Sequence, residues 1–422
     1  MVAERRSPIQ IGEGVRRVLK YSLHKTSEQV AIEKSLYRIL AEDLIADHDV
    51  PPFNRSPYDG FALKAEDTEN ASQQHPIFLK VIDEIGAGEV STATVDRGEA
   101  VRIMTGAAIP EGANAVAMFE VVKEQEQDGN QTIEVGRRFS KGQNISRRGE
   151  DTSEGTRLLK KGTTITPGVI ALLATFGYKY VSVYEKPRVG IFATGTELLD
   201  IDEPLQSGKI RNSNAYMIAS QVEKMGGEPV YFGKLKDDFE ACFVAVTKSL
   251  SEVDVLITTG GVSVGDYDYL PAIYKKLGAN VLFNKLAMRP GSVTTVAEYN
   301  GKLLFGLSGN PSACFVGGEL FVRPFLKQSY GDLPYLAKTK AVLQTDFPKA
   351  NPFTRLVRSR VEFTTNGIEV QPTGLDKSSS VTSIAEANAF IMFPGGTRSF
   401  EKGATVDVLL FDQQSGINPW NE

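Results

Sequence analysis

Asp254-Val-Leu-Ile-Thr-Thr-Gly-Gly-Val-Ser-Val-Gly-Asp-Tyr-Asp-Tyr-Leu270 is the stretch from which the rest of the chain is read. Its apolar run, Val255 to Ile257, has the composition of a buried strand, and Gly260-Gly261 breaks it. Bare backbone resumes at Gly265, and Asp266 and Asp268 follow before a helical pattern over 268–277. A glycine loop between strand and helix offers unblocked N–H groups and a positive helix end to an anion. Carboxylates beside such a loop repel phosphate unless a divalent cation lies between them. The local physics therefore points to a phosphorylated ligand bound together with magnesium.

The same alternation extends outward on both sides. Strand Arg188 to Ala193 meets a turn at Thr194-Gly195-Thr196, and a helix from Asn214 to Met225 ends at Gly226-Gly227. Strand Pro229 to Phe232 and helix Phe239 to Leu250 lead into the 254–259 strand. Strand Val281 to Asn284 comes next, then two strands in 293–307 around the hairpin signal Asn300-Gly301, and a long helix from Ser312 to Lys327. Strands alternating with helices predict a doubly wound, mostly parallel sheet covered on both faces.

Beyond this unit the texture changes. Residues 9–45 read as helical, with Ile11, Val15, Val18, Leu19 and then Val30, Ile32, Leu36, Leu40, Leu44 at helical spacing, until Pro51-Pro52. From 54 to 140 short β runs (Ile77 to Ile82, Ala115 to Val122, Thr132 to Val135) alternate with turns. Residues 141–184 hold turns and one helix, Pro167 to Phe176, with Gly177 as its C-cap, and are expected to pack back on the N-terminal helices. After Gly331 the pattern is β again at Leu356 to Phe363, Ile368 to Pro372, Ala389 to Phe393 and Val406 to Leu410. The fold class expected is multidomain α/β plus β. Its parts are a discontinuous N-terminal domain (1–50 and 141–186), a β-rich inserted domain (51–140), the central α/β domain (187–330) and a C-terminal β domain (331–422).

Bulk properties agree with a folded globular protein rich in turns. The chain has 422 residues, enough for roughly two to four domains, and 41% apolar content with 39 glycines. A net charge of −5 argues against nucleic-acid binding, which wants a basic face. The longest apolar runs, such as Val169 to Ala174, fall far short of the ~20 residues of a membrane span. Met1 to Gln10 lacks a signal-peptide core, so a cytoplasmic protein is expected. Cys242 and Cys314 are too few for a disulfide framework and read as buried thiols, while His24, His48 and His75 show no metal-ligand spacing.

A second glycine loop is Gly306-Leu-Ser-Gly-Asn-Pro-Ser-Ala313, with Asn310 suited to an N-cap and Pro311 to a first helical turn. Alone it is an ordinary cap; paired with 260–265 it makes a split anion site at the carboxyl edge of the sheet. Between the loops, Lys285 and Arg289 in Asn284-Lys-Leu-Ala-Met-Arg-Pro-Gly291 are placed to hold a tetrahedral oxyanion, or else are two solvated charges. Acids recur at other turns: Asp59, Asp151, Glu197 and Asp237-Asp238. Each alone is more often a turn residue or cap than a ligand. Arg137, Arg138, Lys141, Arg147 and Arg148 form a basic loop that either steers anions or is simply solvated. Arg358 and Arg360 alternate on a strand and so share a face, an exposed one in the plainest reading.

Seven segments together resemble the MoeA family of molybdopterin molybdenumtransferases, which includes the gephyrin E domain. They are Pro52-Phe-Asn-Arg-Ser-Pro-Tyr-Asp-Gly-Phe-Ala62, Arg102-Ile-Met-Thr-Gly-Ala-Ala-Ile-Pro110, Gly142-Gln-Asn-Ile-Ser-Arg-Arg-Gly-Glu-Asp151, Ala193-Thr-Gly-Thr-Glu-Leu198, Thr258 to Gly265, Lys285 to Gly291, and Leu307-Ser-Gly-Asn-Pro311. The resemblance spans nearly the whole chain. It implies a molybdopterin-binding-like α/β domain, a β-barrel-like C-terminal domain and an elongated homodimer, whose cleft lies between the third domain of one subunit and the second of its mate. It implies substrates too: adenylylated molybdopterin, hydrolysed with release of AMP, and molybdate, inserted to form molybdenum cofactor, with Mg2+ involved. Partners implied are the molybdopterin adenylyltransferase and molybdoenzyme acceptors, with no nucleic acid and no membrane.

By position, the resemblance makes Asp59, Thr105, Asp151, Glu197, Asp237, Asp268, Lys285 and Arg289 the catalytic set. Glu197, Asp237, Asp266 and Asp268 hold the metal. Gly260, Gly261, Ser263, Gly265, Ser308, Gly309, Asn310, Pro311 and Ser312 cradle the pterin phosphate, and Arg358 and Ser378 are C-terminal contacts. Arg289 stands where the family often has lysine, and Ser308 where proline is common. Two alternatives are a molybdopterin adenylyltransferase, whose single domain resembles 187–330, and a non-catalytic scaffold of the gephyrin E-domain type. The flanking domains weigh against the first, and the lack of a fused module or long linker against the second.

Overall fold

The structure, a computed structural model, describes residues 7–23, 26–127, 129–261, 269–411 and 419–420. The chain divides into two compact units. One comprises Met1–Ala41, Gly162–Pro167 and Tyr180–Glu422, and the other Glu42–Lys161 and Gly168–Lys179.

In the larger unit, six strands form one sheet: β1 (Arg188–Thr194), β2 (Glu228–Leu235), β3 (Val255–Thr259), β4 (Asn280–Phe283), β5 (Thr295–Tyr299) and β6 (Lys302–Leu307). Their spatial order is β2-β1-β3-β6-β5-β4. The first four run parallel, and β5 and β4 complete an antiparallel edge. Period-two alternation sends the side chains into two cores. Val189, Ile191, Val255, Ile257, Leu303 and Phe305 point into one, and Phe192, Leu256 and Leu304 into the other.

The first core is closed by α1 (Asn214–Lys224) and by the helical run after β6, and the second by α2 (Phe239–Ser249) and α3 (Leu270–Leu277). Helix Ile11–Val18 also buries Ile11, Val15 and Val18 in the first core, beside Phe283 and Phe321. The Asn300-Gly301 signal holds: with φ of 49° and 80° these two residues turn β5 into β6.

Two helix expectations need correction. The run after β6 is α4 (Pro311–Gly317), a π turn (Gly318–Val322) and α5 (Arg323–Tyr330), not one uniform helix. The widened turn lies where Gln221 of α1 presses against Gly318, donating from Nε2 to Glu319 Oε1 (2.8 Å) and Phe315 O (3.3 Å). And 9–45 is α-helical only at its start, with a single 3-10 turn at Ile32–Lys34, because Ser27–Ala31 is a strand paired antiparallel with Tyr180–Tyr184. Long-range pairing overrides the local spacing there.

The C-terminal strands β7 (Ala337–Leu343), β8 (Thr354–Thr364), β9 (Gly367–Pro372), β10 (Ala389–Phe393) and β11 (Thr405–Leu410) close into a barrel in the order β8-β9-β7-β11-β10-β8. Leu343, Val357, Val361, Val370, Ile391, Phe393 and Val408 fill it. Arg358 and Arg360 do not share an exposed face: the segment after β9 covers Arg358, 1% exposed, and leaves Arg360 in solvent. Met288–Arg289 of the α/β portion pairs in parallel with the first residues of β8, setting Arg289 beside Arg355.

In the smaller unit, a six-stranded sheet runs in the order Ala115–Met118, Gly60–Leu63, Glu99–Ile103, Ile77–Ile85, Asn130–Val135, Val122–Gln127. Phe61, Leu63, Leu79, Ala100, Ile133 and Phe139 lie in its core. The three expected β runs are all here, the second broken by a 3-10 turn at Phe119–Val121. Helix Pro167–Thr175 ends at Gly177, φ 72°, as its glycine predicted. Cys242 and Cys314 are buried and unpaired with each other. Among the described residues, no helix is long and apolar enough to cross a membrane.

Candidate functional site

From β1 the chain passes to β2 on one side, then returns to β3 on the other, so the topology reverses between β1 and β3. Crevices in open α/β sheets lie at such a point, outside the carboxyl ends of the strands. A cleft of about 1160 Å³ occupies that position. Thr194, Gly195, Thr196 and Glu197 line it after β1, Lys236 and Asp237 after β2, Gly260 and Gly261 after β3, and Ser308 to Pro311 after β6.

The glycines are there because nothing larger fits. Gly260 has φ 94°, and a Cβ on it would lie 2.6 Å from Thr194 Oγ1 and 2.7 Å from Thr194 O. Gly261, at φ 67°, would put one 2.9 Å from the same hydroxyl. The backbones of the two loops also approach closely, a Cβ on Gly309 meeting Gly260 Cα at 3.6 Å.

The second loop is held from three sides. Asn214, at the start of α1, donates from Nδ2 to Gly309 O (2.8 Å), and Ser308 Oγ accepts from Asn310 N–H (3.2 Å). Ser312 is engaged elsewhere: its N–H donates to Ser378 O (2.9 Å) and its hydroxyl to Ser380 O (2.7 Å). It thus ties the loop to the segment after β9, which brings Ser379 and Val381 to the cleft wall.

Charges of both signs face the cleft: Glu197 and Asp237 against Arg211 and Lys236. Desolvation, and then the neighbouring Asp237 carboxylate, hold the Tyr269 phenol above its ordinary range, so it stays an O–H donor. Burial likewise pushes the Cys242 thiol up, and its Sγ donates to Lys236 O (2.8 Å). No group of three or more metal-ligand side chains occurs among the described residues. Two carboxylates in one cleft nevertheless suit magnesium, which keeps several waters and takes one or two carboxylates plus substrate phosphates. Ser263, Gly265, Asp266 and Asp268 lie outside the described residues.

A smaller pocket of about 290 Å³ shares Val293, Ser308 and Asn310 with the cleft and is walled by Arg289, Arg355, Arg358, Asp376 and Ser378. Arg355 Nη1 donates to Asp376 Oδ2 at 2.8 Å and its Nε to Asn351 Oδ1 at 2.7 Å. Burial pulls the Arg358 guanidinium down from its ordinary value, with Asp376 opposing the shift. Three guanidiniums against one carboxylate leave a cationic pocket beside a cleft that carries charges of both signs. Arg289 is part of it, but Lys285 lines neither cavity: it opens the turn that Leu286 N–H closes on Ser292 O (2.8 Å).

Asp59, Thr105 and Asp151 belong to the smaller unit. Asp59 Oδ1 accepts from Thr105 N–H (2.7 Å) and Thr105 Oγ1 (2.9 Å), which lowers its pKa, and Asp151 N–H donates to Val50 O (3.0 Å). All three are exposed.

Sequence reasoning missed Arg355, Asp376, Asn214 and Tyr269. Asp376 and Asn214 carried no motif, and Arg355 becomes a site residue only through the pairing of β8 with Met288–Arg289. Arg355 was legible in one respect, as a third arginine beside Arg358 and Arg360.

Comparison with known proteins matches the chain along its length. The family model of the MoeA N-terminal region (domain I and II) matches residues 9–177, that of the probable molybdopterin binding domain 190–328, and that of the MoeA C-terminal region (domain IV) 340–411. The molybdopterin molybdenumtransferase of Bacillus subtilis is 57% identical over 99% of this chain and 98% of its own. That of Staphylococcus aureus strain MSSA476 is 51% identical over 98% of each. The crystal structure of the molybdopterin biosynthesis MoeA protein from Pyrococcus horikoshii OT3 superposes with a TM-score of 0.81 at 33% identity, covering 96% of this chain and 100% of that one.

Proposed function

Because the chain belongs to the MoeA family of molybdopterin molybdenumtransferases, we propose that it hydrolyses adenylylated molybdopterin with magnesium, releases AMP and inserts molybdate into the freed dithiolene. One observation carries this reading. A large cleft with two carboxylates opens beside a small pocket with three guanidiniums, and the two share a wall. A pyrophosphate ester and a tetrahedral dianion repel each other, and this division of charge accommodates both.

The glycine loops at 260–261 and 308–311 bring backbone to the pterin phosphate, and Asn214 fixes the second of them. Glu197 and Asp237 supply hard oxygen donors, and the family resemblance assigns Asp266 and Asp268 to the same metal. Glu197 and Asp237 would hold magnesium there, which would neutralise charge and polarise the phosphoryl group. Tyr269, kept protonated, donates a hydrogen bond next to Asp237. Arg289 and Arg355 hold molybdate, their planar forks matching its oxygens, while Arg358, its donors held by the 375–383 segment, and Lys285, in the adjoining turn, add charge. Asp59, Thr105 and Asp151 act on the cleft of a partner copy in a homodimer, in line with the family resemblance. The same resemblance supports a cytoplasmic enzyme that receives substrate from the adenylyltransferase and hands its product to molybdoenzymes.

The test is direct. Protein, adenylylated molybdopterin, magnesium and molybdate should yield AMP and molybdenum cofactor in equal amounts without consuming ATP. Arg289→Ala should raise the molybdate needed for half-maximal insertion about tenfold and leave AMP release standing. ATP consumption, or no AMP above background, overturns the reading.

A further inference from the structure

Asp376 is the one carboxylate among the described residues lining the small pocket, and its side chain is 10% exposed. Its Oδ2 accepts from Arg355 Nη1 (2.8 Å) and Lys349 Nζ (3.0 Å), while Arg358 Nη1 lies 3.5 Å from Oδ1, at the limit of a hydrogen bond. The other donors of Arg358 are turned to the segment that carries Asp376. Nη2 donates to Leu375 O (3.1 Å) and Lys377 O (3.2 Å), and Nε to Ser383 Oγ (3.3 Å). Arg358 therefore grips the peptide on either side of Asp376, and Arg355 holds the carboxylate itself.

Like-charged guanidiniums crowded into a half-buried pocket are costly without a counter-charge. We propose that Asp376 is the resident counter-ion of this pocket, standing in for the oxyanion until the oxyanion displaces it from Arg355. The inference rests on the reading of the pocket as the molybdate site. Asp376 then has two effects of opposite sign. It stabilises the pocket before the ligand arrives, and it opposes entry, both by competing for the Arg355 fork and by like-charge repulsion. The positive surplus that remains, three arginines and Lys349 against one carboxylate, favours a doubly charged anion over a singly charged one.

Titration calorimetry on the full-length protein without pterin, using molybdate and the non-inserting dianion sulfate, tests this. Asp376→Asn should bind both anions about tenfold tighter than wild type. Unchanged or weaker binding would mean that Asp376 only props the arginines, and the proposal would fall. A second measurement needs no variant. In wild-type crystals soaked with tungstate, the anion should accept from Arg355 and the Asp376–Arg355 contact should open beyond hydrogen-bonding distance. An anion in the pocket with that contact intact also overturns the counter-ion role. Wild type that binds neither anion, or binds them with Arg355→Ala unaffected, instead removes the oxyanion reading itself.

Discussion

Asp59 takes two hydrogen bonds from a single residue, the N–H and the hydroxyl of Thr105, and both favour the charged carboxylate. Its folded pKa is therefore below the ~3.9 of an unstructured aspartate. A depressed pKa stabilises the fold above the unfolded value and loses that contribution as pH falls through the folded value, so the effect belongs to the acid side of about pH 4. Thr105→Val keeps the backbone donor and removes the hydroxyl. The Asp59 carboxyl carbon, followed by NMR through an acid titration, should then show its midpoint move up toward the ordinary value. A midpoint that stays put would take the hydroxyl out of the account. At this scale the sequence was half legible. Turn acids could be named because glycine and proline mark the turns, and Glu197 and Asp237 do share one cleft. Arg355 and Asp376 could not be paired, because they lie 21 residues apart and on different elements.

Elements were read well where burial and spacing agree. β1, β3 and β6 are apolar runs covered on both faces, and β10 lies where its own apolar run placed it. The reading failed at Ser27–Ala31, whose pairing with Tyr180–Tyr184 leaves no trace within a local window. The π turn at Gly318–Val322 was only partly legible: Pro324, which lacks the N–H a continuous helix needs, marks it in the sequence, but Gln221, which packs on it, lies on another helix. α1 links these features to the site. Its first residue, Asn214, holds Gly309 O, while Gln221, two turns on, binds the wall of the helix that follows the glycine loop. Asn214→Ala should lower stability by about 1 kcal/mol, the usual net value of one hydrogen bond. In urea the midpoint should drop with the slope unchanged. A midpoint within error of wild type would make the contact incidental to the loop.

At the scale of the whole molecule, the alternation of β-rich and α/β textures exposed the multidomain class, since each texture needs its own layer architecture. The barrel closure was half visible: four of its five strands were read from their apolar β runs, while β7 alternates, Lys338 and Lys340 outward and Ala341 and Leu343 inward, but is too polar to stand out. What no single chain exhibits is the proposed division of the site between two copies. That proposal has an arithmetic consequence. Let Asp59→Asn, in the smaller unit, and Asp237→Asn, in the larger, each be inactive as a homodimer. In a mixed dimer with shared clefts, the intact Asp237 of one subunit works with the intact Asp59 of its mate, so one cleft is whole and the other carries both changes. With twofold symmetry and random exchange at equal amounts, half the dimers are mixed, and activity should recover to about a quarter of wild type. If each cleft instead draws Asp59 and Asp237 from the same chain, every cleft in the mixture keeps one lesion, and activity stays at the level of the parents. A mixture no more active than its components, with exchange verified by mass, would therefore return Asp59 to its own subunit.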